Sequence, residues 1–147
     1  METKNPLSIF LIDDDPFCGQ LYEQHIRNLG HTNVTLFSDG QECLNHLTDQ
    51  PDVIFLDYRM EPMDGLEVLR KVKRFNPDIY MVVVSGQDDM KVAVNALKYG
   101  AFDYIIKDDN DLEKIETVLK KIQTVMDLLK QRPQGKVQKL LSFLGVI

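Results

Sequence analysis

Short, dense apolar runs alternate along this chain with longer stretches in which apolar residues recur every three or four positions. The runs are Ser8-Ile9-Phe10-Leu11-Ile12, Val34-Thr35-Leu36-Phe37, Val53-Ile54-Phe55-Leu56, Ile79-Tyr80-Met81-Val82-Val83-Val84 and Phe102-Asp103-Tyr104-Ile105-Ile106. The third run reads as a strand buried on both faces, the kind found in parallel sheets, the fourth as another strongly buried strand, and the second as a modest one.

The intervening stretches read as helices. Asp15-Pro16 fits an N-cap and first-turn pair for a helix whose approximate apolar face is Phe17, Leu21, Ile26 and Leu29, closed by Gly30. Ser38-Asp39-Gly40 introduces a second through Cys43, Leu44 and Leu47, ended by Thr48-Asp49-Gln50-Pro51. A third carries Leu66, Leu69 and Val72 and stops before Asn76-Pro77. The fourth has Met90, Val94 and Leu97, with Val92, Ala93 and Ala96, and ends at Tyr99-Gly100. Asp108-Asp109-Asn110-Asp111 supplies caps and negative charge to a fifth, long helix through Leu112, Ile115, Val118, Leu119, Ile122, Val125, Met126 and Leu129. Strands alternating with helices in this way predict an α/β fold, a doubly wound five-stranded parallel sheet covered on both faces.

Length and composition narrow the picture. A chain of 147 residues, 44% apolar, suits one domain with a sizeable core, taken as residues 1–129, followed by an extension or linker stump over 130–147. No run reaches the length of a membrane span and the first residues lack a signal-peptide core, so the expected location is cytoplasmic. Cys18 and Cys43 have no metal-like or redox-like spacing. The net charge of −6 argues against direct nucleic-acid binding by this domain. That charge is uneven: residues 130–147 carry Lys130, Arg132, Lys136 and Lys139 without a carboxylate, leaving −10 for residues 1–129 against +4 for the tail.

The strand ends hold the chemistry. Asp13 and Asp14 leave the first run, Asp57 the third, Ser85 the fourth and Lys107 the fifth. In open parallel sheets the crevice beyond the strands' carboxyl ends is where ligands bind. Adjacent carboxylates repel and raise one another's pKa, whereas a hard divalent ion such as Mg²⁺ takes oxygen ligands and keeps them ionised. A hydroxyl and an ammonium beside that ion suit a phosphoryl group, and a carboxylate can serve as nucleophile to form an acyl phosphate.

With these residues in place, residues 7 to about 128 resemble a receiver domain of bacterial two-component response regulators, a flavodoxin-like fold. The resemblance implies that Asp57 accepts a phosphoryl group from a sensor histidine kinase or a histidine phosphotransfer protein, the chain catalysing its own transfer and slow dephosphorylation. It implies that Asp14, Asp57 and the backbone carbonyl of Arg59 ligate Mg²⁺, with Asp13 acting largely through a bound water. Ser85 would move to the phosphoryl oxygens, Lys107 would pair with them, and Tyr104 would be the switch aromatic. The output would be read by a downstream protein on the face of the fourth helix, fifth strand and fifth helix. Arg59 and Gln87 fall where the family tunes dephosphorylation.

One departure stands out: Lys107 is followed by Asp108 where receivers commonly have proline. A cis bond to a non-proline residue costs about 2.5–4 kcal/mol, so this peptide is expected to be trans. A dehalogenase-type hydrolase would want a second Asp where Arg59 stands, and a nucleotide-binding fold would want glycines where Asp13-Asp14-Asp15-Pro16 stands. The alternative that survives is a receiver-like interaction module independent of phosphorylation.

Beyond Pro133, the residues Val137, Leu140, Leu141, Leu144 and Ile147 fall on one side of a short extra C-terminal helix. A helix of this length is marginal alone in water, so it is read as a self-association segment giving a homodimer, as a segment docked on the acidic body, or as a frayed stump.

Overall fold

In the computed structural model, residues 6–86, 90–131 and 143–145 are described. The strands are β1 (Ile9–Ile12), β2 (Val34–Phe37), β3 (Val53–Asp57), β4 (Tyr80–Ser85) and β5 (Asp103–Ile106). They pair in parallel in the order β2-β1-β3-β4-β5. The three inner strands are almost wholly buried, as their continuous apolar runs require, while β2 and β5 at the edges are only partly so.

Among the described residues the helices are α1 (Pro16–Asn28), α2 (Gly40–Asn45), α3 (Gly65–Phe75), α4 (Met90–Lys98) and α5 (Asp111–Lys130), with a 3₁₀ turn at Leu47–Asp49. Asp15, Asp39 and Asp64 cap α1, α2 and α3 by accepting backbone N–H groups at 3.0, 2.8 and 2.9 Å. Phe10, Ile12, Ile54, Leu56, Met81 and Val83 face a core built with Cys43, Leu47, Val68, Leu69, Val72 and Ala96 from α2, the 3₁₀ turn, α3 and α4. Gly19 of α1 lies on Leu36, the register partner of Leu11, so α1 covers the opposite face. The sheet is therefore wound on both sides, as the alternation predicts.

Two helix faces differ from the sequence reading. On α1 the buried residues are Gly19, Tyr22 and Ile26, while Phe17 and Leu21 are 79% and 46% exposed. Counting back from Ile26 at helical spacing gives Tyr22 and Gly19; Phe17 falls on the far side despite its hydropathy. On α4 the buried residues are Val92 and Ala96, and the stripe Met90, Val94 and Leu97 is exposed. That helix carries two apolar stripes, and the one through Val92 and Ala96 is turned inward.

The chain divides after Ile115 into two compact units. The first holds the sheet, α1 to α4 and the start of α5. The second holds the rest of α5, in which Val118, Leu119 and Ile122 are buried. The tail residues Pro133, Val137, Leu140, Leu141 and Ile147 and also Gln87 lie outside the described residues; Phe143 and Leu144 are exposed. No helix among the described residues is long and apolar enough to cross a membrane.

Candidate functional site

Among the described residues, the buried polar or charged side chains are Asp13, Asp57 and Ser85. All three stand at the carboxyl ends of inner strands, where each has been carried by an apolar run that buries the backbone beneath it. The register explains who meets whom. Leu11 pairs with Phe55, so Asp13 and Asp57, two positions further on, leave on the same side. Asp57 pairs with Val84, and Val84 with Ile105, which directs Lys107 to that side as well. Ser85 and Tyr104 share the opposite side, since Val83 pairs with Tyr104 and Ser85 with Ile106.

The outcome is a compact cluster. Lys107 Nζ lies 3.4 Å from Asp13 Oδ2 and 3.5 Å from Asp57 Oδ1. Asp13 Oδ1 accepts the Asp15 N–H at 2.9 Å. Asp13, Asp14 and Asp57 each offer a carboxylate oxygen, and these oxygens all lie within 4.8 Å of one another. Asp14 is the solvent-exposed member. Burial pushes the Asp57 carboxyl up to about 6; Lys107 and the Arg59 N–H oppose this, and Asp13 and Asp14 add to it. Burial works against the charge on Lys107 too, but Asp57 and Asp13 outweigh it and leave its pKa raised. An all-oxygen donor set that pays a charge penalty when empty of cations fits a hard divalent ion.

Ser85 is fully buried, and its carbonyl accepts the Lys107 N–H at 2.8 Å. Tyr104 is half-buried and packs on the core. The Arg59 backbone lies near enough to the acceptor to favour the charged form of the Asp57 carboxyl. The Lys107–Asp108 peptide is trans, as expected, and the cis bond found among the described residues is Glu61–Pro62.

Two contributors escape the sequence reading. Gly65 folds the β3–α3 loop against the strand end: a Cβ there would lie 2.7 Å from Tyr58 Cα and 2.8 Å from the Asp57 carbonyl oxygen. The Pro62…Gly65 spacing signals a turn but not that approach. The second is a cleft of about 300 Å³ lined by Phe17, Cys18, Leu21, Tyr22, Lys107, Asp108 and Asp111, beside the carboxylates. Burial foremost, then Asp13, raises the pKa of the Cys18 thiol, so it stays protonated.

Known proteins resemble this chain in sequence and fold. The family profile of the response regulator receiver domain matches residues 9–120. The transcriptional regulatory protein ZraR of Escherichia coli K12 is 32% identical over 120 residues, 81% of this chain and 27% of that protein. DctD of Rhizobium meliloti, a C4-dicarboxylate transport transcriptional regulatory protein, is 39% identical over 101 residues, 68% of this chain and 22% of that protein. The chain thus spans about a quarter of the length of these relatives. A response regulator receiver domain protein from Clostridium thermocellum superposes with a TM-score of 0.77 at 25% identity, covering 84% of this chain and 98% of that one. The receiver domain of NtrX from Brucella abortus gives 0.72 at 26% identity, covering 78% and 96%. Sheet order, buried strand-end carboxylates and family match agree, and the chain belongs to the response regulator receiver domain family.

Proposed function

We propose that Asp57 is the phosphoacceptor of a Mg²⁺-dependent phosphorelay step. The observation that carries this is the burial of Asp57 at a strand end with Lys107 3.5 Å away and two further carboxylates around it. A carboxylate oxygen of Asp57 attacks the phosphorus of a donor phosphohistidine; the P–N bond breaks, its electron pair stays on the imidazole, and an acyl phosphate remains on Asp57. Asp13, Asp14 and Asp57, with the Arg59 carbonyl, would hold Mg²⁺, which supplies charge neutralisation for the phosphoryl oxygens. Lys107 supplies a further positive charge for those oxygens, and Ser85, which leaves its strand on the other side of the sheet, would have to move to bring its hydroxyl to them. The chain in this reading is a signalling domain that catalyses its own phosphorylation and slow dephosphorylation.

The donor is a sensor histidine kinase or a histidine phosphotransfer protein, working in the cytoplasm. To bring its histidine to Asp57 it must cover the cleft rim, where Phe17 and Leu21 offer exposed apolar surface. The downstream protein reads α4 and β5, which are packed together: Met90, Val94 and Leu97 are exposed there, and Ser85 and Tyr104 share one side of the sheet beneath.

The test is labelling with acetyl phosphate, with and without Mg²⁺. Label on Asp57 that needs Mg²⁺ and vanishes in Asp57→Asn is the expected result. Undiminished labelling of Asp57→Asn overturns the acceptor assignment, and absence of label with every donor favours an interaction module independent of phosphorylation.

A further inference from the structure

Lys107 reaches the acceptor from a short loop, Lys107 to Asn110, between β5 and α5. The loop has no proline to stiffen it. Its ammonium lies 3.4 and 3.5 Å from the two carboxylates, longer than the roughly 2.7–2.9 Å of a tight charge-assisted hydrogen bond. The carboxylates therefore do not clamp Lys107 by themselves, and its place depends on what holds the backbone.

Both ends of the loop are tied. At its start the Lys107 N–H donates to the Ser85 carbonyl at 2.8 Å. At its end the tie comes from α1: the Tyr22 hydroxyl donates to Asp111 Oδ2 at 2.5 Å, and one turn later His25 Nε2 lies 2.9 Å from the Leu112 carbonyl oxygen. Tyr22 is only 2% exposed, so its ring is fixed by packing and its hydroxyl is a fixed post. Within the loop, Asp108 takes the Asn110 N–H on one oxygen and the Lys114 ammonium on the other, each at 2.8 Å. Tyr22, Asp111 and Lys107 border the same cleft, which Cys18 also lines.

We propose that Tyr22 is a positioning residue for phosphoryl transfer, holding the β5–α5 loop through Asp111 so that Lys107 stays at the acceptor. The inference rests on the reading of Asp57 as phosphoacceptor. Catalytic groups work only when a supporting shell fixes them, and loop-borne groups need that support most. Tyr22→Phe keeps the buried ring and removes the hydroxyl that makes the tie.

The experiment is a double-mutant cycle on the full chain, reading the rate of Asp57 phosphorylation by acetyl phosphate at saturating Mg²⁺. Loss of one hydrogen bond should slow Tyr22→Phe about fivefold. In a Lys107→Ala background the same change should cost nothing further, because Tyr22 acts through Lys107. Asp111→Ala should repeat the loss from the other end of the bond, and Asp111→Asn, which keeps an acceptor oxygen, should recover most of it. That second pair decides the matter if Tyr22→Phe does not fold. A parental rate in Tyr22→Phe, an equal loss in the Lys107→Ala background, or equal rates in the two Asp111 variants overturns the inference. A parent that takes no label on Asp57 overturns the proposed function itself, which is a separate outcome.

Discussion

The Lys107 ammonium lies 3.5 Å from Asp57 Oδ1 while also lying 3.4 Å from Asp13 Oδ2, one cation shared by two buried carboxylates. Removing it leaves both acids buried without compensation. Breaking a fully buried pair is strongly destabilising, but Lys107 keeps some solvent access, so the expected loss for Lys107→Ala is about 2 kcal/mol in the absence of metal. Urea unfolding at neutral pH in a chelator measures it. Saturating Mg²⁺ should shrink the difference, because the ion takes over the neutralisation.

Asp57 gives the opposite sign. Its folded-state pKa, pushed up to about 6 chiefly by burial, lies above the 3.8 of an ordinary aspartate. A raised acid favours folding below its unfolded value, and that contribution is lost as pH rises through about 6. In chelator at pH 7, Asp57→Asn should therefore be more stable than the parent by about 3 kcal/mol, although it cannot be phosphorylated. The gap should close as pH falls from 7 towards 4. Thermal melts of both proteins across that range check it; a gap independent of pH would assign the effect to packing.

Much of this was readable from sequence. Continuous apolar runs ending in Asp13, Asp57, Ser85 and Lys107 announce both the parallel sheet and the side chains at its edge, because burial and position are set by the strand itself. Helix faces were less legible. Phe17 and Leu21 on α1, and Met90, Val94 and Leu97 on α4, are apolar but exposed, so hydropathy pointed one way and packing another. The spacing Gly19, Tyr22, Ile26 carries the right answer, but a glycine and a tyrosine give it a weak hydropathic signal. The Tyr22–Asp111 bond joins residues 89 positions apart and has no local signature.

Gly65 is the residue whose replacement should do the most harm per atom added. The Cβ of Gly65→Ala would meet backbone, at 2.7 Å from Tyr58 Cα and 2.8 Å from the Asp57 carbonyl oxygen, and backbone cannot rotate away. Overpacking of this kind costs about 1–3 kcal/mol. The strand end that presents Asp57 must shift, so phosphorylation by acetyl phosphate should slow as well. A lower melting temperature with an unchanged labelling rate would show that the loop, not the strand, absorbs the methyl group.

Phe17 separates the chemistry at Asp57 from delivery of the phosphoryl group. It is 79% exposed at the rim of the cleft that Lys107 also lines, so it has little packing to lose, and Phe17→Ser should change stability by no more than about 0.5 kcal/mol. Acetyl phosphate is small enough to reach Asp57 without covering the rim, so its labelling rate should match the parent's. A protein donor must cover the rim to place its histidine in line with Asp57, and loses apolar contact when Phe17 is truncated. Transfer from a phosphorylated histidine phosphotransfer protein should therefore fall about tenfold, chiefly through weaker binding. Leu97→Ser, on the exposed stripe of α4, should leave transfer from both donors unchanged. Equal slowing of both donors by Phe17→Ser would place Phe17 in support of the acceptor site, and no slowing of either would put the donor contact elsewhere on the surface.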